Sequence, residues 1–326
     1  AMPEEIAAGI YRIPVPLVGN PLKELNAYLL KGEDGNLLID TGFRQPACRE
    51  ALFSGLRELG VRRGETEVLL THLHSDHSGL APEAAGERTI YMSEVDRPHL
   101  DDRAYGEKHW ERMNERFRTE GFPRHLLARM SETNPARSMA PPSGGHYQGL
   151  ADGQILERGG CRIQCLLMPG HTPGQMCYWL PERGILFTGD HVLFDITPNI
   201  TFWPVMADAL GSYLESLKKI RAYDPELTLP GHRKSGDLKT RVDELLCHHQ
   251  RRLEEALNVV KAHPGRGAYE LAGHMTWKIR ASSWADFPVA QKWFAVGECM
   301  SHLDHLIVLG RLRRETVDGK AAYYAI

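Results

Sequence analysis

The stretch Thr71-His72-Leu73-His74-Ser75-Asp76-His77-Ser78-Gly79 puts three histidines and an aspartate into six consecutive positions. The apolar run Glu67-Val68-Leu69-Leu70 precedes it and reads as a short strand. Ser78-Gly79-Leu80-Ala81 follows, where a helix can begin. The cluster therefore belongs in a loop at the carboxyl end of a strand, where open α/β sheets place their chemistry. His72 and His74 alternate along an extended backbone and so point the same way. Asp76 and His77 come where the chain turns. Imidazole nitrogens and carboxylate oxygens are the donors that suit Zn²⁺ and related ions. A lone histidine here would read as a surface or capping residue. The full H-x-H-x-D-H pattern carries too many donors in too short a run for that role, and it predicts a metal site.

Further donors stand at other strand ends. Cys165-Leu166-Leu167-Met168 leads to Pro169-Gly170-His171, Gly184-Ile185-Leu186-Phe187 to Thr188-Gly189-Asp190, and Leu227-Thr228-Leu229 to Pro230-Gly231-His232. Each is a short β-like run ending in a glycine turn with one donor. Glycine lets the backbone turn tightly there and bring the side chain inward. One Pro-Gly-His alone is an ordinary turn; three such turns downstream of the histidine cluster point to one site.

These pieces, with Leu38-Ile39-Asp40-Thr41-Gly42, fall in an order that resembles the metallo-β-lactamase superfamily over residues 8 to 235. The resemblance is to its two-metal, glyoxalase II-like hydrolase branch. It implies a four-layer αβ/βα sandwich in the α/β (α+β) class. It implies that His72, His74 and His171 hold one divalent ion, that Asp76, His77 and His232 hold a second, and that Asp190 bridges them. Asp76 and Asp190 become the candidate catalytic residues, and Asp40 a support for the ligand loop. Antibiotic-degrading β-lactamases carry Cys where this chain has Asp190. The ions expected are zinc, with iron or manganese also suited to the donors.

The chain has room for this fold. Its 326 residues are 42% hydrophobic and 25% charged, with a net charge of −3, which is globular and shows no global nucleic-acid footprint. Cysteines 48, 161, 165, 177, 247 and 299 show no framework spacing. They read as reduced thiols, with Cys161 and Cys165 as packing residues on one face of a strand. No signal peptide or apolar run of membrane length is visible, so a cytoplasmic protein is expected. Ala1 ahead of Met2 reads as an expression remnant.

Strands are expected at 6–13, 26–30, 36–40, 68–72 and 89–92, and a helix at 46–59 ending at Gly60. His77 and His171 are 94 positions apart (171 − 77), more than the intervening fold elements need. The excess, 94–150, is expected to be a helical cap beside the metals. Trp110, Met113 and Phe117 follow i, i+3, i+7, Gly121 is a stop, and a second helix follows Pro123. Residues 135–149 read as a loop. Tyr105, Trp110, Met113, Phe117, Phe122, Met130 and Tyr147 either face a substrate or pack the cap. Downstream, 175–180 and 184–188 form a hairpin, and 207–223 a helix. His191 is a candidate supporting residue or proton carrier.

The catalytic domain is placed at 1–235 and a second domain at 236–326. The latter reads as three helices and an Asp318-Gly319 hairpin, resembling the winged-helix tail of some β-lactamase-like hydrolases. Residues 233–326 carry 15 Lys and Arg against 11 acidic residues, a weak basis for nucleic-acid binding, because affinity scales with the number of positive contacts. Packing on the catalytic domain or forming a homodimer is the preferred role. The chemistry expected is attack of a two-metal-activated hydroxide on a thioester, ester or lactone of a small acyl compound. A single-strand endoribonuclease is the alternative, and a DNA-binding ligand sensor a third. Gly-x-Ser-x-Gly is absent, which argues against an α/β-hydrolase.

Overall fold

The computed structural model describes residues 2–326; Ala1, read above as an expression remnant, lies outside the described residues. A seven-stranded sheet runs in chain order: β1 (Glu4–Ala7), β2 (Ile10–Pro16), β3 (Glu24–Gly32), β4 (Gly35–Ile39), β5 (Glu67–Leu69), β6 (Thr89–Ser93) and β7 (His146–Leu150). Its first four strands are antiparallel, and β4 to β7 are parallel. A second sheet holds β8 (Ile155–Arg158), β9 (Cys161–Leu167), β10 (Met176–Leu180), β11 (Ile185–Gly189) and β12 (Leu227–Pro230), in the order β12-β11-β10-β9-β8. A separate hairpin, β13 (Leu312–Val317) and β14 (Lys320–Ala325), closes the chain.

The helices are α1 (Pro46–Glu58), α2 (Ser75–Ser78), α3 (Ala81–Ala85), α4 (Pro98–Asp101), α5 (Arg103–Thr119), α6 (Arg124–Thr133), α7 (Pro135–Ser138), α8 (Ala209–Ile220), α9 (Leu238–Ala262), α10 (Ala268–Gly273) and α11 (Val289–Val308). Among the described residues, no helix is long and apolar enough to cross a membrane.

The period-2 alternation of the strands assigns each face to a layer. In β3, Tyr28 and Leu30 face the second sheet and meet Ile163, Tyr178 and Phe187. Leu25, Ala27 and Leu29 face the other way, onto Leu52 and Leu56 of α1 and Ala81 and Ala84 of α3. In the second sheet Leu166, Cys177 and Leu186 turn outward onto Leu210 and Leu217 of α8. The order is helix, sheet, sheet, helix, the αβ/βα sandwich expected. Cys161 and Cys165 are packing residues between the sheets, and the six cysteines are free.

Three details differ from the sequence reading. The expected strand 6–13 is two strands, because Gly9 takes φ +75° and folds β1 back on β2. The stretch 135–149 is not all loop: α7 opens it, and β7 ends it as the edge strand beside β6. The insert's aromatic stripe does not line an open cleft. Met113, Phe117, Phe122 and Met130 are buried with Trp293, Val296 and Met300 of α11. Phe117 stacks on Trp293 with ring centroids 5.0 Å apart and planes 7° apart. A core shared by helices distant in sequence is what the i, i+3, i+7 spacing was serving.

Candidate metal centre

Seven side chains converge beyond the strand ends. His72, His74 and His171 form one group of potential donors, and Asp76, His77, Asp190 and His232 a second. Within each group the donor atoms lie within 4.8 Å of one another. The Asp190 carboxylate stands between the groups. Its Oδ2 is 3.7 Å from His72 Nε2, 3.5 Å from His171 Nε2 and 3.2 Å from His77 Nε2, and its Oδ1 is 3.4 Å from His232 Nε2. Asp76 Oδ2 is 3.1 Å from His232 Nε2 and 3.3 Å from His77 Nε2.

The far side of most rings is tied down, which decides where each lone pair points. His77 Nδ1 donates to Asp40 Oδ2 at 2.7 Å. His171 Nδ1 donates to the Asn199 carbonyl at 2.7 Å, and His232 Nδ1 to the Glu24 carbonyl at 2.8 Å. The Thr71 hydroxyl donates to Asp40 Oδ2, so toward His72 Nδ1, 2.9 Å away, it accepts. Each of these four rings thereby turns its Nε2 toward the centre. His74 presents Nδ1 instead, 3.1 Å from His171 Nε2. Two nitrogens that close, both with lone pairs inward, repel unless a cation or proton lies between them.

The electrostatics agree. Burial opposes charge on Asp76 and Asp190, yet His77 and His232 hold both carboxyls well below the usual carboxylate range. Burial likewise opposes a charged His232, but Asp190 and Asp76 outweigh it and lift it to about 10. Burial and its histidine neighbours push His72 well down. Two buried carboxylates thus demand positive charge, which protons on His77 and His232 supply and divalent ions would displace. His72 Nε2, Asp76 Oδ2 and Asp190 Oδ1 make no hydrogen bond, although all are buried. Unspent donors of these types, facing one point, fit a pair of divalent ions.

Local backbone makes the convergence feasible. Asp40 adopts φ +61°, a strained conformation for a residue with a side chain. From there its carboxylate also accepts the Thr71 amide at 2.9 Å. Gly231 is required sterically: a Cβ there would stand 2.6 Å from Asp190 Oδ1 and 2.9 Å from His77 Cε1. Asn26 of β3 donates to the carbonyls of Pro230 and Arg233, clamping the His232 turn.

Two contributors have no signal in the sequence reading. Buried Asp96, just beyond β6, accepts from the Leu73 amide, the Thr172 hydroxyl and the Gly174 amide. It joins the His72–His74 loop to the His171 turn. Its position at yet another strand end was the available clue. Trp203 is buried and stacks on His74, ring centroids 6.1 Å apart, and on His109 of α5 at 5.0 Å. His191 is buried against Tyr213 and belongs to neither donor group, and burial lowers it to about 3. Within the insert, His109 therefore reaches toward the site, while Met113 and Phe117 do not.

The family model that matches residues 23–232 is the Metallo-beta-lactamase superfamily. The chain belongs to the metallo-β-lactamase superfamily. This superfamily member is 26% identical over 334 residues to the lactamase-like protein adaB of Aspergillus niger, covering 90% of the chain and 88% of adaB. It is 27% identical over 232 residues to a protein of Aspergillus fumigatus named atrochrysone carboxyl ACP thioesterase. That match covers 68% of the chain and 56% of the thioesterase. The chain spans 60% of the lactamase-like protein nscB of Neosartorya fischeri, at 27% identity over 252 residues and 75% of its own length. A crystal structure of a metallo-beta-lactamase family protein from Thermus thermophilus superposes with a TM-score of 0.81 at 29% identity. It covers 98% of this chain and 100% of that one, so the C-terminal helices and hairpin belong to the shared architecture. The protein is a metallo-β-lactamase-fold hydrolase with a His/Asp cluster suited to two metals.

Proposed function

We propose that this hydrolase cleaves a thioester of a small acyl compound, with esters and lactones as the neighbouring substrate class. His72, His74 and His171 would hold one ion, Asp76, His77 and His232 the other, with Asp190 shared; zinc is the proposed metal. When bound, two such ions supply hydroxide near neutral pH and polarise the acyl carbonyl. The chain's own groups then orient the reactants. Asp76 Oδ2 and Asp190 Oδ1, which make no hydrogen bond within the fold, would be the carboxylate oxygens that face the ions. Asp40 keeps the His77 proton on Nδ1. Trp203 shields the His74 side from bulk solvent.

The observation that carries the reading is the carboxylate of Asp190 within 3.7 Å of four imidazoles drawn from three separate loops. The relative named as an acyl-carrier thioesterase supports the substrate class. An RNA path across the tail finds less support. Arg313 pairs with Glu315, and Arg314 with Glu120, so the hairpin's cations are largely neutralised.

The test is thiol release from a panel of acyl thioesters by metal-loaded protein, with Asp190→Asn as control. Release that the control lacks is expected. Equal release by both proteins would remove the proposed centre. Activity on esters alone would move the function to that neighbouring class.

A further inference from the structure

We propose that an arginine-lined pocket beside the metal centre binds the phosphate of a pantetheine-type thiol carrier, the leaving group of the thioester. The inference rests on the thioester reading above and names the part of the substrate that reading leaves open. The pocket has a volume of about 510 Å³ and lies between α5, the segment 202–204 and the β13–β14 hairpin. Arg112, Arg116, Arg118 and Arg314 line it, with Phe202, Pro204 and one carboxylate, Glu115.

The charges are unequally spent. Arg116 pairs with Asp304 at 2.8 Å and reaches Glu120 at 3.6 Å, and Arg314 pairs with Glu120 at 3.1 Å. Arg112 donates to the Pro204 carbonyl at 2.9 Å and, among the described residues, neither it nor Arg118 forms an ion pair. Arg116 Nε is buried and makes no hydrogen bond, while its guanidinium is held over the Phe202 ring at 4.5 Å. Two of the four arginines are thus held in ion pairs, and two are not. That arrangement suits an oxyanion with several acceptors better than a single carboxylate.

Position supplies the second argument. Phe202 and Pro204 face the arginines, and Trp203 between them stacks on His74. The same strap continues back to Asn199, whose carbonyl holds His171. The segment 199–204 therefore borders both the pocket and the metal centre. A ligand anchored by its phosphate on one side can reach the other by a flexible arm. The thioester carriers of this geometry are those in which a phosphate ends a pantetheine chain, whether in coenzyme A or on a carrier protein.

The experiment compares an acyl-coenzyme A with the N-acetylcysteamine thioester of the same acid, which keeps the reacting bond and lacks the phosphate. In Arg112→Gln/Arg118→Gln the ratio of kcat/KM for the two substrates is expected to fall about tenfold, the scale of one lost charge-assisted contact. An unchanged ratio overturns the proposal. Adenosine 3′,5′-bisphosphate as an inhibitor assigns the pocket to coenzyme A. Inhibition by 4′-phosphopantetheine alone assigns it to the carrier-bound form, and inhibition by neither overturns it. If neither thioester is cleaved, the thioester reading fails. Calorimetry with coenzyme A on the metal-loaded protein then decides the pocket. Binding that the double variant loses supports it, and no binding to the parent protein overturns it.

Discussion

Asp40 shows how much one residue outside the donor set can control. Its Oδ2 accepts from both His77 Nδ1 and the Thr71 hydroxyl. In Asp40→Asn an amide with donors of its own would face those two donors, and the tautomers of His77 and His72 would lose their anchor. Metal affinity is expected to fall roughly 10–100-fold, the usual effect of losing such a support. A competition titration against a coloured chelator measures it, and wild-type affinity in this variant would discount the tautomer argument. Gly231→Ala is the steric counterpart. Because a methyl would stand 2.6 Å from Asp190 Oδ1, the carboxylate must move. Bound metal per chain is expected to drop below two by atomic absorption, while the far-ultraviolet circular dichroism stays that of the parent.

At the scale of elements, α11 reaches the metal centre through the strap it holds. Ser301 Oγ donates to the Ile200 carbonyl at 2.7 Å, and the Ile200 amide donates to Glu298 at 3.3 Å. The neighbouring Asn199 carbonyl fixes His171. Ser301→Ala removes one buried hydrogen bond, a loss of about 1 kcal/mol in stability. It should also loosen His171, seen as a changed visible spectrum of the Co²⁺-substituted protein. An unaltered spectrum with the same stability loss would make Ser301 a packing residue only. The insert is tied to the same helix. Phe117→Ala removes a ring stacked on Trp293 and is expected to cost about 3–5 kcal/mol, read as a lowered denaturation midpoint.

For the molecule as a whole, buried histidines set the acid limit. Burial lowers His109 to about 3 and His302 to about 4, and it pushes His249, 3.1 Å from His302, well below the ordinary imidazole value. The unfolded chain takes up these protons near pH 6.5, and the folded chain does not until much lower pH. Below pH 6.5 the unfolded state therefore binds more protons, and stability falls as pH drops toward 4. Each such histidine contributes roughly 1.4 kcal/mol per pH unit across that window. Urea midpoints between pH 7.5 and 5 measure the slope, and His302→Gln should make it shallower. A slope equal to the parent's would mean that His302 is protonated in the fold. The outer core also joins α8 to α9 and α11. A chain cut after residue 235 would uncover the α8 face that meets α9 and α11, including Tyr213, whose ring packs on His249, and it is expected to aggregate in size-exclusion chromatography rather than elute as a folded monomer.

The sequence by itself picked out the seven His and Asp side chains that the fold brings together, the glycine turns that carry three of them, and the sandwich. Metal ligation demands fixed atom types at strand ends, and glycine is the residue that lets the backbone turn so closely, so both leave local marks. Period-2 alternation marked the start of β9, and the turn at 181–184 marked the β10–β11 hairpin. Only the tertiary structure decided what depends on distant partners. Whether Phe117 faces a cleft or a core turned on Trp293, 176 positions later (293 − 117). The strand identity of 146–150 needed β6 beside it, because an edge strand with alternating burial and no apolar run has little propensity of its own. Trp203 and the arginine pocket became visible only when α5, α11 and the β13–β14 hairpin were packed around one strap. Their chemistry arises from neighbours in space, and no spacing in the sequence encodes it.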